Sequence, residues 1–181
     1  DPERPKEDGS GTELPNPRQP EWPEADYIVG NPPFIGGKDI RSRLGEAYAV
    51  ALWKAHPKIN KSADFVMYWW DRAAEQLTRK GSRLKRFGFV TTNSITQEFS
   101  RRVIAKRIGG HRPISLVMAI PDHPWTKATK DAAAVRIAMT VAEAGEREGT
   151  LLEVIAEHKL DSDSDLPPSE WPNFYFRMGH E

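Results

Sequence analysis

Asparagine, two prolines and an aromatic ring stand in a row at Asn31-Pro32-Pro33-Phe34, and here residue type and spacing can do chemistry. An asparagine side-chain oxygen accepts a hydrogen bond and the carbonyl of Pro32 accepts another, so together they can grip both hydrogens of one planar amino group. Proline fixes its own φ and restricts the residue before it to extended conformations, so the two prolines stiffen Asn31 and Pro32 and set the direction of their polar groups. With both hydrogens held, the nitrogen lone pair stays localised and can attack the methyl carbon of a sulfonium donor in line. Phe34 adds a flat apolar face, and stacking there restores on the order of 1–3 kcal/mol to a base extruded from a duplex. By itself, an Asn-Pro-Pro turn after a strand can equally be a rigid connection and nothing more.

The elements around this tetrapeptide place it. Tyr27, Ile28 and Val29 form a short apolar run stopped by Gly30 and the prolines, as expected of a buried strand whose carboxyl end opens into a loop. In an open α/β sheet, ligands sit in the crevice outside such strand ends. Helical spacing follows at Glu46 to His56 and, with one broad apolar face, at Asp64 to Leu77. Phe87 to Thr91 reads as a second strand, and Ile95, Phe99, Val103, Ile104 and Ile108 recur at helical spacing before Gly109-Gly110. Ile114 to Ile120, Ala132 to Val141 and Leu151 to Ala156 read as three strands, the last two joined by the turn Glu143 to Gly149 as an antiparallel hairpin that closes the sheet. Strands alternating with helices imply a mainly parallel sheet covered on both faces, with that hairpin as an antiparallel edge. Residues 1–24 are charged and proline-rich and read as a flexible linker; 25–160 form the ordered α/β part; 161–181 are a polar tail whose Trp171, Phe174, Tyr175 and Phe176 suggest docking.

Composition excludes several classes. Lysine plus arginine number 26 and aspartate plus glutamate 26, so no net charge announces nucleic acid or membrane, and any basic face must be local. The absence of cysteine removes disulfides, thiolate metal sites and cysteine nucleophiles, and no apolar run approaches a membrane span. A soluble intracellular protein fits, with no membrane partner and no targeting segment. The histidines at 56, 111, 123, 158 and 180 lack ligand-like spacing, which gives a metal no support. Lys38, Arg41 and Arg43 just after the motif, and Arg101, Arg102, Lys106 and Arg107 further on, can meet phosphates or simply face solvent. Trp69 and Trp70 read as core packing and Asp64 as a helix cap.

Asn-Pro-Pro-Phe after an apolar strand resembles motif IV of amino-methyltransferases. The longer string IVGNPPFIGGK followed by RLG resembles the MmeI-like type II restriction-modification methyltransferases. A looser likeness extends through the Trp-rich helix, the string GFVTTNSI from Gly88 to Ile95 and the segment from Trp125 to Val135. This resemblance implies a class I, Rossmann-like methyltransferase fold, of which the chain holds the C-terminal half. It implies S-adenosylmethionine as methyl donor, double-stranded DNA as partner and transfer to the N6 amino group of a flipped adenine. Asn31 and Pro32 would then hold the amino group, with Asn31 also beside the cofactor. Phe34 would stack on the base, while Pro33, Lys38 and Trp125 would line the substrate side.

Departures from the pattern carry their own expectations. Such enzymes bind the cofactor with a glycine loop and an acidic residue upstream of motif IV, and neither is present. Gly36-Gly37 and Gly109-Gly110 do not follow strands in the G-x-G-x-x-G arrangement. The chain therefore reads as a fragment whose parent supplies most of the cofactor site and a target-recognition region, with any nuclease also lying outside these residues, and the isolated 181 residues are expected to be inactive. Three alternatives stay open: methyltransferases of protein glutamine, methyltransferases of RNA guanine-N2, and a noncatalytic DNA-binding scaffold.

Overall fold

The computed structural model describes residues 14–124, 135–156 and the strand at 175–179. In chain order the elements are β1 (Tyr27–Gly30), α1 (Ile40–Leu44), α2 (Glu46–Ala55), α3 (Val66–Thr78), β2 (Arg86–Thr92), α4 (Glu98–Ile108), β3 (Ile114–Pro124), β4 (Arg136–Ala144), β5 (Thr150–Ala156) and β6 (Tyr175–Gly179). The six strands form one mixed sheet in the order β1-β2-β4-β3-β5-β6. β1 runs parallel to β2 and β3 parallel to β5, whereas β2 with β4, β4 with β3, and β5 with β6 are antiparallel. This is a Rossmann-like mixed α/β fold.

Apolar packing explains where the helices lie. Along β2, Phe87, Phe89 and Thr91 turn inward while the residues between them do not, the period-2 alternation of a strand. Trp70 of α3 is fully buried and meets Phe87 edge to face at 5.2 Å, and its Nε1 donates to Thr140 Oγ1 at 3.3 Å. Val103 and Ile104 of α4 join the same core. Phe65 stands edge-on to Trp69 at 4.4 Å, so both tryptophans are packing residues. Both parallel connections, β1 through α3 to β2 and β2 through α4 to β3, step across the sheet in the same direction. Right-handed crossovers in one direction put their helices on one face. Among the described residues the opposite face stays open, with Val29 87% exposed. Of the cover expected on both faces, the described residues supply the helices of one.

The expected pairing of the strands now numbered β4 and β5 is also corrected. A strand has two edges, and those of β4 are taken by β2 and β3. After the turn beginning at Gly145, whose N–H donates to Pro113 O at 2.8 Å, the chain crosses to the far side of β3. It passes so closely that a Cβ on Gly149 would lie 2.1 Å from Leu116 O. The antiparallel partner of β5 is instead β6, within the stretch read as a polar tail. At the other end, part of the expected linker is pinned. Gln19 Nε2 donates to Ala55 O at 3.0 Å, Arg72 Nη2 donates to Pro20 O at 3.1 Å, and Trp22 packs on the core.

Candidate active site

β1 ends at Gly30, opposite Phe89 of β2, and the chain enters the motif at the carboxyl edge of the sheet. Asn31 is exposed, Pro32 buried, Pro33 exposed and Phe34 half-buried. Among the described residues no hydrogen bond engages the Asn31 amide. The buried Pro32 ring anchors a corner whose polar side chain faces outward, as the stiffness of consecutive prolines requires.

Phe34 opens a cleft of about 690 Å³ that continues through Gly36, Gly37 and Lys38 and is closed by Asp64, Thr92, Ser94 and Gln97. Of the residues singled out from sequence, Phe34 and Lys38 line this cleft, and Asn31, Pro32 and Pro33 precede it in the chain without lining it. Trp125 lies outside the described residues. The strand before it, β3, ends at the same edge: His123 is opposite Ile137, which is opposite Thr92 on its other side.

The cleft is built by polar links between distant segments. Phe65 N–H donates to Ile35 O at 2.9 Å, and Gly37 N–H donates to Asp64 Oδ1 at 3.1 Å. The other carboxylate oxygen of Asp64 accepts from the hydroxyls of Thr92, at 3.4 Å, and Ser94. Asp64 was expected to cap α3, but no side chain caps that helix, and the backbone carbonyl of Asp64 accepts from Met67 N–H at 2.9 Å instead. The carboxylate reaches across space because the turn before α1 and the end of β2 with the loop after it supply donors that sequence order does not reveal. A polar string directly after an apolar strand, Thr91-Thr92-Asn93-Ser94, was the visible signal.

A second link lies at the same edge. Arg136 holds Asp122 with both guanidinium branches, Nε to Oδ1 at 2.5 Å and Nη2 to Oδ2 at 2.7 Å, while Asn93 Nδ2 donates to Asp122 Oδ1 at 3.3 Å. The Arg136 hydrogen bond holds the Asp122 carboxyl below its usual range. Of the basic residues, Arg41 pairs with Glu46 at 2.7 Å, and on α4 Arg107 pairs with Asp71 at 2.7 Å.

For S-adenosylmethionine, the cofactor that the resemblance implies, the described residues fit only in part. Gly36-Gly37 cannot be a glycine loop for it. Gly37 is packed against backbone, since a Cβ there would lie 2.2 Å from Ser62 O, and its N–H is taken by Asp64. Gly109-Gly110 ends α4 at the far edge of the sheet. Among the described residues no helix is long and apolar enough to cross a membrane.

Two solved structures share this fold. The type IIL restriction-modification enzyme MmeI in complex with DNA is 23% identical at a TM-score of 0.53, covering 72% of this chain and 17% of that one. A protein from Vibrio vulnificus YJ016, assigned as a modification subunit of a type I restriction enzyme, is 15% identical at a TM-score of 0.51, covering 74% of this chain and 26% of that one. The chain therefore spans about a sixth to a quarter of these proteins. No curated protein matches it. The family model for the DNA-methyltransferase domain of MmeI matches residues 7–153, and the chain belongs to that family.

Proposed function

We propose that this chain carries the amino-gripping part of a DNA adenine-N6 methyltransferase of a restriction-modification system. The observation that carries the reading is the exposed, unengaged Asn31 amide on a corner anchored by buried Pro32, beside a cleft that opens at Phe34. Oδ1 of Asn31 and the carbonyl of Pro32 accept the two N6 hydrogens of a flipped adenine. Phe34 stacks on the ring, and Pro33 and Lys38 line the approach, Lys38 toward a phosphate. When bound, S-adenosylmethionine would supply a sulfonium-activated methyl carbon, and Asn31 would border it. By holding both hydrogens, Asn31 and Pro32 would keep the N6 lone pair free to take that methyl group, and one amino proton would then leave to solvent.

Membership of the MmeI domain family and the DNA in the MmeI structure support DNA over protein glutamine or RNA guanine. The test is to incubate the full-length protein with methyl-labelled cofactor and duplex DNA and digest the product to nucleosides. Label in N6-methyldeoxyadenosine is expected. Label in another base, or transfer to protein or RNA alone, would refute adenine specificity, and DNA binding without transfer would favour a scaffold.

A further inference from the structure

The Asp64 carboxylate ties together three segments that are far apart in sequence. One oxygen takes the N–H of Gly37, just after the motif, and the other takes the hydroxyls of Thr92 and Ser94, at the exit of β2. Its own backbone N–H donates to Ser100 Oγ of α4 at 3.4 Å. Independently of the carboxylate, Gly37 touches the Ser62 carbonyl so closely that no side chain fits, and Phe65 N–H holds Ile35 O. Both walls of the cleft beside Phe34 are therefore fixed to one half-buried acid at the foot of α3.

We propose that Asp64 is a positioning residue for the reaction, resting on the adenine methyltransferase reading given above. Its carboxylate sets the distance between the Phe34–Gly37 segment and the Thr92–Ser94 loop, and so the width of the slot that the extruded base enters. Both carboxylate oxygens accept hydrogen bonds from the two walls, which gives Asp64 the work of holding them. Asparagine can keep the same links: its carbonyl oxygen accepts from Gly37, and its NH2 donates to the Thr92 and Ser94 hydroxyls, which also accept. Alanine keeps none of them.

The experiment compares Asp64→Ala and Asp64→Asn with the unchanged full-length protein. It measures kcat for DNA methylation, KM for S-adenosylmethionine and hydrogen exchange in a peptide spanning Ile35–Asp39. In Asp64→Ala, kcat should fall on the order of 100-fold, the loss that about 1 Å of misplacement can cause, while KM for the cofactor holds and exchange at the peptide accelerates. Asp64→Asn should recover most of both. Unchanged kcat and unchanged exchange in Asp64→Ala would overturn the proposal. So would an Asp64→Asn variant as inactive as Asp64→Ala but with normal exchange, because the acid itself would then act in the chemistry. Should the unchanged protein transfer no methyl group to DNA, the functional reading fails, and the exchange arm alone decides whether Asp64 ties the two walls.

Discussion

Trp70 and Asp64 belong to the same stretch of chain, yet they hold the molecule in opposite ways. Trp70 is sealed between α3 and the sheet, in edge contact with Phe87 and with one hydrogen bond to Thr140. Asp64, half-buried at the foot of the helix, touches the cleft and makes its links through hydrogen bonds to Gly37, Thr92 and Ser94. Burial of apolar surface is non-directional and tolerates small shifts, whereas hydrogen bonds fix direction. The contrast places stability on the helix-covered face of the sheet and geometry at its carboxyl edge.

That division can be broken from either side. Replacing Trp70 by Ala should cost about 3–5 kcal/mol, since it empties a large, fully buried site. Because that is a large fraction of a domain's stability, chemical denaturation should show a lower midpoint and activity should disappear with the fold. A variant that lost activity while melting normally would place Trp70 at the site and dissolve the contrast. Phe34→Ala should weaken base stacking by about 1–3 kcal/mol and leave melting nearly unchanged. Fluorescence of a base analogue at the target position would report it, and an equal loss of cofactor affinity would count against stacking.

A smaller effect tests the helix-covered side by pH. His56 is buried against Tyr68 at 5.2 Å, and burial lowers its pKa below the ordinary 6.5, opposed by Asp71 and Glu75 and reinforced by Arg72. A proton then binds the unfolded chain more readily than the folded one. The neutral ring's contribution is full above the unfolded value and declines as pH falls through it. The melting temperature should drop between about pH 7 and about pH 5, and His56→Gln should flatten part of that drop. Identical slopes for both proteins would show that His56 does not contribute.

Much of the fold was legible because periodicity reports burial. The alternation Phe87, Phe89, Thr91 and the apolar stripe of α3 arise from one-sided packing that each segment carries in its own residues. Strand partnership does not. Nothing in Thr150–Ala156 says that both edges of β4 are already occupied, so sequence alone points to the nearest strand as its neighbour. Nor does a segment carry the side its helix takes, which depends on crossover handedness and direction. At the site, the outward corner at Asn31 followed from local stereochemistry. Asp64 looked like a cap because a cap is the local use for aspartate before a helix, while its actual partners lie on α1's approach and beyond β2.

Transfer by Asn31→Ala in the full-length protein, measured under single-turnover conditions alongside its melting curve, probes the amino grip most directly. An exposed side chain contributes little to the core, so melting should match the unchanged protein while methyl transfer falls on the order of 10²–10³-fold. Transfer at the original rate by a normally folded variant would contradict the account.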